Sequence, residues 1–174
     1  MDAWAEVYVS IGSNIEPERH IPMALTRLAK RVRLDGISTF YRSAPLGRPE
    51  QPSFLNGVCR LFTDLSPREL KFNCLRPLED ELGRLRTQDA YAARPIDLDI
   101  VLFGNLMVQE SDLEIPDPDI RKRAFLAVPL WELAPEAILP DTGEALKTVV
   151  RSLGDVNLTP VVDFTRELRA RLTL

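Results

Sequence analysis

The chain opens with alternating apolar and polar residues and then changes to a helical spacing. Four apolar side chains share one face of residues 5–11: Ala5, Val7, Val9 and Ile11. This period of two predicts a half-buried strand. The Gly-Ser-Asn segment at 12–14 is typical of a turn and is expected to end it. Apolar positions over 21–32 then follow a helical period, with Pro22 expected in the first turn of that helix.

Three more strands are predicted further along the chain, over about 37–43, 54–63 and 96–103. They are followed by a proline-bearing irregular segment at 115–123 and by short helices around Leu130 and Leu146. A C-terminal amphipathic stretch is expected over 161–172.

The second predicted helix has a clear start. Ser66 is expected to be the N-cap, with Pro67 at the first helical position and Glu69 at the third, which together form a capping box. Pro77 should kink this helix unless the chain locally avoids the steric clash. Five residues form its expected buried stripe: Leu70, Cys74, Leu78, Leu82 and Leu85.

The order of these elements, β-α-β-β-α-β, predicts an α+β fold of the ferredoxin-like type. Such a fold has an antiparallel sheet with both helices on one face, here followed by a C-terminal extension. We expect one domain over residues 1–174. A length of 174 residues with 45% apolar and 28% charged residues is ordinary for a single domain that needs no disulfide.

The rarity of histidine and cysteine excludes several kinds of site. His20 is the only histidine, and Cys59 and Cys74 are the only cysteines. A His-ligated metal centre and a Ser-His-Asp triad are therefore close to excluded. No apolar run approaches the roughly 18 residues of a membrane span. The acidic N-terminus is unlike a secretory signal, so we expect a cytoplasmic protein without a membrane partner.

The charge balance is acidic overall, with 22 basic and 26 acidic residues and a net charge of −4. This disfavours nucleic acid as a partner, because nucleic-acid-binding domains usually carry a basic surface. Arginine nevertheless outnumbers lysine by 18 to 4. Its planar guanidinium matches phosphate geometry, but composition alone favours codon bias and a solvated surface as the explanation of the excess.

Asp97 and Asp99 carry the strongest chemical signal. Residues two apart in a strand point to the same side, so both carboxylates should lie opposite the apolar residues Ile96, Leu98 and Ile100. Two carboxylates this close repel unless a cation lies between them, and oxygen ligands suit Mg²⁺. The alternative is a solvated strand face carrying two unconnected acids.

Several arginines flank this pair and suggest a polyphosphate ligand. They are Arg84, Arg86 and Arg94 before the pair and Arg121 and Arg123 after it. The alternative is a salt-bridge network with Glu79, Asp80 and Glu81. The chain has neither a P-loop nor a glycine-rich dinucleotide motif, so any nucleotide must bind by another route.

An aromatic residue and an amide share one face of the strand at 54–63. Phe54 and Asn56 would suit a flat heteroaromatic ring with donor and acceptor edges, and Phe125 could stack on its other side. Pro45 and Gly47 indicate an exposed loop just upstream. The alternative is that these aromatic residues belong to the core.

Over about residues 7–140 the chain resembles the 6-hydroxymethyl-7,8-dihydropterin pyrophosphokinase family of folate biosynthesis. The signature segment is Arg94-Pro95-Ile96-Asp97-Leu98-Asp99-Ile100. The other matching segments are 12–14, 41–47, 51–56, 78–79, 82–86, 115–118, 123–125 and 129–136.

The resemblance implies transfer of the β,γ-pyrophosphate of ATP to the hydroxymethyl oxygen of the pterin, with AMP released. It implies that Asp97 and Asp99 hold two Mg²⁺ ions and act catalytically together with Arg84 and Arg94. The residues expected at the nucleotide are Glu79, Arg84, Arg86, Tyr91, Arg94, Ile100, Asp117, Arg121 and Arg123. The residues expected at the pterin are Pro45, Leu46, Gly47, Phe54, Asn56 and Phe125. Only small-molecule partners are expected, and a monomer.

Departures from the family pattern lie on the expected nucleotide side. Asp117 replaces a usual histidine, and Tyr91 stands where tryptophan is common. We expect Asp117 to lie near the triphosphate in ionised form, neutralised by Arg121 and Arg123. The alternative function is a non-catalytic or altered-nucleotide paralogue that binds pterin or nucleotide. A ferredoxin-like RNA-binding or regulatory module is a third possibility, which the net charge disfavours.

Overall fold

A single antiparallel sheet organises the molecule. The computed structural model describes residues 3–154 and 156–174. The strands are β1 (Ala5–Ser13), β2 (Arg33–Ile37), β3 (Tyr41–Ser43), β4 (Phe54–Thr63), β5 (Asp97–Phe103), β6 (Val108–Glu110), β7 (Leu113–Ile115) and β8 (Thr159–Pro160). The main sheet has the order β5-β1-β4-β3-β8, with β2 also paired to β4, while β6 and β7 form a separate hairpin. This arrangement of β5, β1, β4 and β2/β3 confirms the ferredoxin-like prediction.

The helices are α1 (Pro17–Leu28), α2 (Pro67–Glu69), α3 (Arg76–Glu81), α4 (Ala124–Leu133), α5 (Leu146–Ser152) and α6 (Val162–Leu172). A π-helical segment (Leu70–Leu75) joins α2 to α3, and a 3₁₀ turn (Pro118–Arg121) precedes α4. The predictions of helices near Leu130, Leu146 and the C-terminus are confirmed. Among the residues described, no helix is long and apolar enough to cross a membrane.

The first strand and helix differ from the prediction at their junction. β1 continues through Gly12 and Ser13, which pair with Asn56 and Leu55 of β4, so the expected turn starts later. α1 then begins at Pro17, and Pro22 lies inside the helix rather than in its first turn. The apolar spacing missed this start because the first turn of α1 is polar.

The capping box of the second helix is confirmed. The Glu69 N–H donates to Ser66 Oγ at 3.3 Å, and the Ser66 N–H donates to Glu69 Oε2 at 2.8 Å. Just before Pro77 the chain adopts the π-helical segment, a local irregularity at the point where the kink was expected. Leu85 was wrongly placed in the buried stripe, because the helix ends before it and its side chain is 84% exposed.

The predicted strand over 37–43 is in fact two short strands separated by residues 38–40. Ser38 still bonds to Val58 of β4 through its backbone N–H, at 2.8 Å. The next two backbone N–H groups leave the sheet. Thr39 donates to Glu132 of α4, and Phe40 donates to Thr165 of α6.

Helices cover both faces of the sheet. The first core lies between the sheet and α1, the π-helical segment, α3 and α6. The second core lies on the opposite face beneath α4 and α5. The prediction that both helices of the β-α-β-β-α-β core lie on one face is therefore confirmed. In the C-terminal extension, α4 and α5 cover the opposite face and make the molecule three-layered.

Candidate active site

The carboxylates of Asp97 and Asp99 lie on one side of the start of β5. Leu98 and Ile100 alternate with them and point into the first core. Asp97 pairs in register with Gly12 of β1, and Asp99 pairs with Ser10. Both aspartates line two adjacent cavities, which places them at the junction between the two.

The first cavity has a volume of about 340 Å³ and a partly aromatic wall. Phe54 and Asn56 from β4, Phe125 from α4 and Leu46 from the preceding loop all line it, as expected for a ring-binding pocket. Asn56 is buried, and its Nδ2 donates to Ser43 Oγ at 2.7 Å.

Gly12 permits this arrangement of the amide. A Cβ atom at this position would lie 2.9 Å from Asn56 Oδ1, closer than real contacts allow. The glycine therefore leaves room for the Asn56 side chain beside β1, in the wall of the first cavity.

The second cavity has a volume of about 320 Å³ and is rich in arginine. Its arginines are Arg76, Arg84, Arg86 and Arg94, and Glu79 also lines it. Arg94 lines both cavities, as the two aspartates do. A concave surface with several guanidiniums and a carboxylate pair at its edge suits a metal-bound polyphosphate.

Asp97 is held by two of these arginines. Arg94 Nη1 donates to Asp97 Oδ2 at 2.8 Å, and Arg84 Nη1 donates to Oδ1. Burial raises the pKa of Asp97, but the two guanidiniums outweigh it, so the pKa lies below its usual value. Asp97 is therefore ionised and already paired with cations in the free protein.

Asp99 has the opposite balance. Repulsion from Asp97, followed by burial and by repulsion from Glu79 and Asp117, raises the pKa of Asp99 well above its usual value. Burial also raises the pKa of Glu79 to about 7, although Arg84 partly offsets it. This excess of buried negative charge is what a bound cation would compensate.

The residues present fit magnesium held jointly by protein and substrate. Within the described part of the chain, no group of three or more His, Cys, Asp or Glu side chains is arranged to hold a metal ion. The two aspartates supply hard oxygen ligands, and Mg²⁺ commonly takes one or two carboxylates and completes its shell with phosphate oxygens and water.

Asp117 lies in the wall of the first cavity, at the N-terminus of the 3₁₀ turn. Its Oδ1 accepts the Asp119 N–H at 2.9 Å. Burial raises the pKa of Asp117 to about 6. The carboxyl is still mostly ionised at neutral pH, as expected, but the expected neutralisation by Arg121 is wrong. Arg121 instead binds Asp141 at 2.9 Å, while Arg123 does line the first cavity.

The structure also shows where four other expected site residues lie. Tyr91 lines the first cavity rather than the second and packs against Gly47, where a Cβ would lie 3.2 Å from its ring. Pro45 and Gly47 belong to the loop of Leu46 but are not among the lining residues. Ile100 is buried in the first core, so its side chain does not reach either cavity.

The alternative of a salt-bridge network is also partly realised. Arg84 binds Glu79, and Arg86 binds Asp80 and Glu79. These carboxylates hold the arginines at the rim of the second cavity. Ion pairing and phosphate binding are therefore compatible at this site, because a guanidinium has five donors to distribute.

Polar lining residues that the sequence did not single out include Ser10, Ser43, Arg76 and Asp119. Two of them carried a usable signal. Asp119 lies two residues after Asp117, and Arg76 lies three residues before Glu79, which makes it a neighbour on one helix face. The two serines show no comparable pattern, since only strand pairing brings them to the cavity.

Asn14 joins the two loops beside the cavities. Its Oδ1 accepts the Arg94 N–H at 2.8 Å, and its Nδ2 donates to Gln51 Oε1 at 3.0 Å. Gln51 in turn donates to the Tyr91 carbonyl at 3.0 Å. The Gly-Ser-Asn segment thus has a structural task, namely to hold both loops against the end of β1.

Comparison with known proteins gives a consistent result. Residues 8–135 match the model of the 7,8-dihydro-6-hydroxymethylpterin-pyrophosphokinase (HPPK) family. A 2-amino-4-hydroxy-6-hydroxymethyldihydropteridine pyrophosphokinase from Haemophilus influenzae is 36% identical over 151 residues, which cover 85% of this chain and 92% of that protein. The Pseudomonas aeruginosa protein of the same name is 41% identical over 138 residues, 78% of this chain and 84% of that one.

The fold is also similar to a solved structure, wild-type HPPK-DHPS from Plasmodium falciparum, with a TM-score of 0.68 at 10% identity. The match covers 87% of this chain and 45% of that one, so this chain spans less than half of that protein's length. At this identity the likeness concerns the fold alone. The sequence matches carry the assignment, and they show that the chain belongs to the HPPK family.

Proposed function

We propose that the protein transfers the pyrophosphoryl group of ATP to the hydroxymethyl oxygen of 6-hydroxymethyl-7,8-dihydropterin, giving AMP and the pterin diphosphate in folate biosynthesis. The observation that carries this proposal is the position of Asp97 and Asp99 between two cavities of different character. The first cavity suits a flat ring and the second suits phosphates, so the reacting groups of the two substrates would meet at the carboxylates.

The ring would occupy the first cavity. Phe54 and Phe125 offer aromatic faces, and Asn56 offers an amide to the polar edge of the ring. Asn56 Nδ2 already has a partner in Ser43 Oγ, so its second N–H and its Oδ1 remain for the ring. A buried amide that pairs with the ring edge rejects analogues without that edge.

The triphosphate would occupy the second cavity. Arg76, Arg84, Arg86 and Arg94 supply donors for its oxygens. Arg84 and Arg94 bind Asp97 in the free protein, and on nucleotide binding they would exchange this carboxylate for phosphate. Asp97 would then be free to act as a metal ligand together with Asp99.

Two Mg²⁺ ions are proposed, held by Asp97 and Asp99 and by phosphate oxygens, where they would supply charge compensation and alignment. The chain itself orients both substrates and surrounds the transferring group with arginines. Positioning and charge stabilisation carry most phosphoryl-type transfer, so no covalent nucleophile is needed. The acceptor oxygen attacks the β-phosphorus and loses its proton. The bond between the β-phosphorus and the bridging oxygen to the α-phosphorus breaks, and AMP departs.

The test is AMP formation from ATP, Mg²⁺ and the hydroxymethyldihydropterin, with omission of each component as a control. Asp97→Ala and Asp99→Ala should each lower turnover by orders of magnitude while pterin binding changes much less. Either variant retaining more than about a tenth of wild-type turnover would contradict the two-metal assignment.

Binding of substrates without AMP release would instead favour the non-catalytic paralogue. An altered nucleotide preference would appear as faster turnover with another nucleoside triphosphate. A monomer and a cytoplasmic location complete the proposal and are tested by sedimentation and by cell fractionation.

A further inference from the structure

We propose that the C-terminal segment 159–172 positions the ring-binding wall of the active site, with Thr165 as its central positioning residue. This rests on the proposed function, because the pterin is the ring in question. The segment lies outside residues 8–135, which the family model matches. It touches neither cavity, so its effect must pass through other residues.

The first link joins α6 to Phe40, in the bend between β2 and β3. Thr165 is 2% exposed, and its Oγ1 accepts the Phe40 N–H at 3.0 Å while donating to the Val161 carbonyl at 2.9 Å. The Val161 N–H donates to the Phe40 carbonyl at 2.8 Å. Both backbone polar groups of Phe40 are therefore satisfied by the C-terminal segment rather than by the sheet.

The second link joins the Phe40 ring to the cavity wall. A Cβ atom on Gly57 would lie 2.8 Å from this ring, so Phe40 packs directly on the β4 backbone next to Asn56. Phe164 of α6 contacts the same ring edge to face, with centroids 5.6 Å apart. Gly57 itself lines the first cavity.

The third link runs along β3. This strand has only three residues, and it lies between β4 and β8. Tyr41 pairs with Asn56 on one side and with Pro160 on the other. At the end of the strand, Ser43 Oγ accepts the Asn56 amide. The C-terminal segment thus supports both the start of β3 and its outer edge, and β3 in turn orients Asn56.

These links predict an effect confined to one substrate. Thr165→Val keeps the size of the side chain but leaves the Phe40 N–H without its acceptor, so the bend and β3 should shift slightly. A displaced Asn56 amide weakens its bond to the ring, while the arginines of the second cavity stay in place. We expect the KM for the pterin to rise about three- to tenfold, with the KM for ATP unchanged, because small misplacements at a site have large kinetic effects.

The experiment compares three variants with the wild type. Thr165→Ser keeps the hydroxyl and should restore the pterin KM. Phe164→Leu removes the ring contact with Phe40, should raise the pterin KM in the same direction, and provides a second test if Thr165→Val does not fold. Thr63→Val is the matched control: Thr63 is also 2% exposed and accepts a backbone N–H from Leu65 at 3.1 Å, but at the opposite end of β4.

The control should lower the melting temperature without changing either KM. The proposal is overturned if the Thr165 and Phe164 variants only lose stability as the control does, or if both KM values rise together. Fluorescence titration with the dihydropterin in the absence of ATP measures the affinity of the ring-binding cavity directly, independently of turnover. A wild-type protein that binds the ring but releases no AMP would defeat the proposed reaction, while the titrations would still decide the role of Thr165.

Discussion

Replacing Asp99 by asparagine should stabilise the free protein while abolishing its turnover. The substitution preserves shape but removes a buried negative charge that Asp97, Glu79 and Asp117 all oppose. The same charge is needed if Asp99 is a metal ligand. Stability and activity should therefore change in opposite directions, as at sites whose strain serves a function.

The magnitude follows from the strand geometry. Residues two apart in a strand are separated by about 6.7 Å, and two unit charges at that distance repel by about 2.5 kcal/mol at an effective dielectric of about 20. Arg84 and Arg94 already neutralise much of the charge of Asp97, and protonation of Asp99 relieves more of the repulsion. We expect a net gain of about 1 kcal/mol, which raises the melting temperature by about 2–4 °C in a chain of this size.

The gain should depend on pH with a definite sign. The pKa of Asp99 is higher in the folded than in the unfolded protein. Between the pKa of Asp99 in the unfolded protein and its pKa in the folded protein, the folded state therefore binds more protons. The free energy of unfolding falls as the pH rises through this range. Asparagine does not titrate, so the advantage of the variant should vanish near the unfolded pKa of about 4 and reach its full value only above the folded pKa.

The assay is thermal unfolding from pH 4 to pH 8 without divalent cations, together with AMP release at neutral pH. Asp64→Asn, at an exposed aspartate, is the control and should leave both unchanged. A variant at Asp99 that is less stable than the wild type at pH 8, or whose gain is the same at pH 4, would refute the electrostatic reasoning. Addition of Mg²⁺ with an ATP analogue should stabilise the wild type more than the variant.

Two further predictions concern the walls of the first cavity. Asn56→Ala should raise the KM for the pterin about tenfold or more, because a lost buried hydrogen bond is worth about 1–3 kcal/mol. The affinity for the nucleotide should stay similar. If the nucleotide affinity falls instead, the two cavities are assigned the wrong way round. Asp117 lines the first cavity but acts electrostatically on Asp99, where the two cavities meet. Asp117→His should therefore bind a non-hydrolysable ATP analogue more tightly, and the gain should shrink at high salt because charge interactions are screened. Asp117→Asn should show a gain at pH 7.5 that largely disappears at pH 5, because the wild-type carboxyl has a pKa of about 6 and is already neutral there. Calorimetric titration measures both, and weaker binding in either variant would place Asp117 in an adapted site that needs its carboxylate.

Local spacing was sufficient for much of the site. The two-residue period of a strand places Asp97 with Asp99 and Phe54 with Asn56, because neighbours at i and i+2 share a face whatever the rest of the fold does. The capping box of the second helix is equally local, since its hydrogen bonds join residues three apart. The order of elements also predicted the ferredoxin-like sheet, because few topologies accommodate it.

Tertiary contacts and chain reversals decided the positions of some residues that local spacing alone placed wrongly. Arg121 has acidic partners at Asp141 and Glu144, which the fold brings close, so it does not neutralise Asp117. Leu85 fits a helical stripe, but Gly83, at a φ of 87°, follows the end of the helix and leaves Leu85 exposed. In each case the pattern was real and a tertiary contact or a chain reversal overrode it.

By itself, the sequence determined which side chains share a face within one strand or helix, because backbone geometry sets those directions over a few residues. Only the tertiary structure decided which faces meet. The two cavities join segments far apart in the chain, such as β1, β4 and β5, and the bond between Phe40 and Thr165 spans 125 positions. Contacts at such separations depend on how all the layers pack together, so the role of the C-terminal helix became visible only in the folded protein.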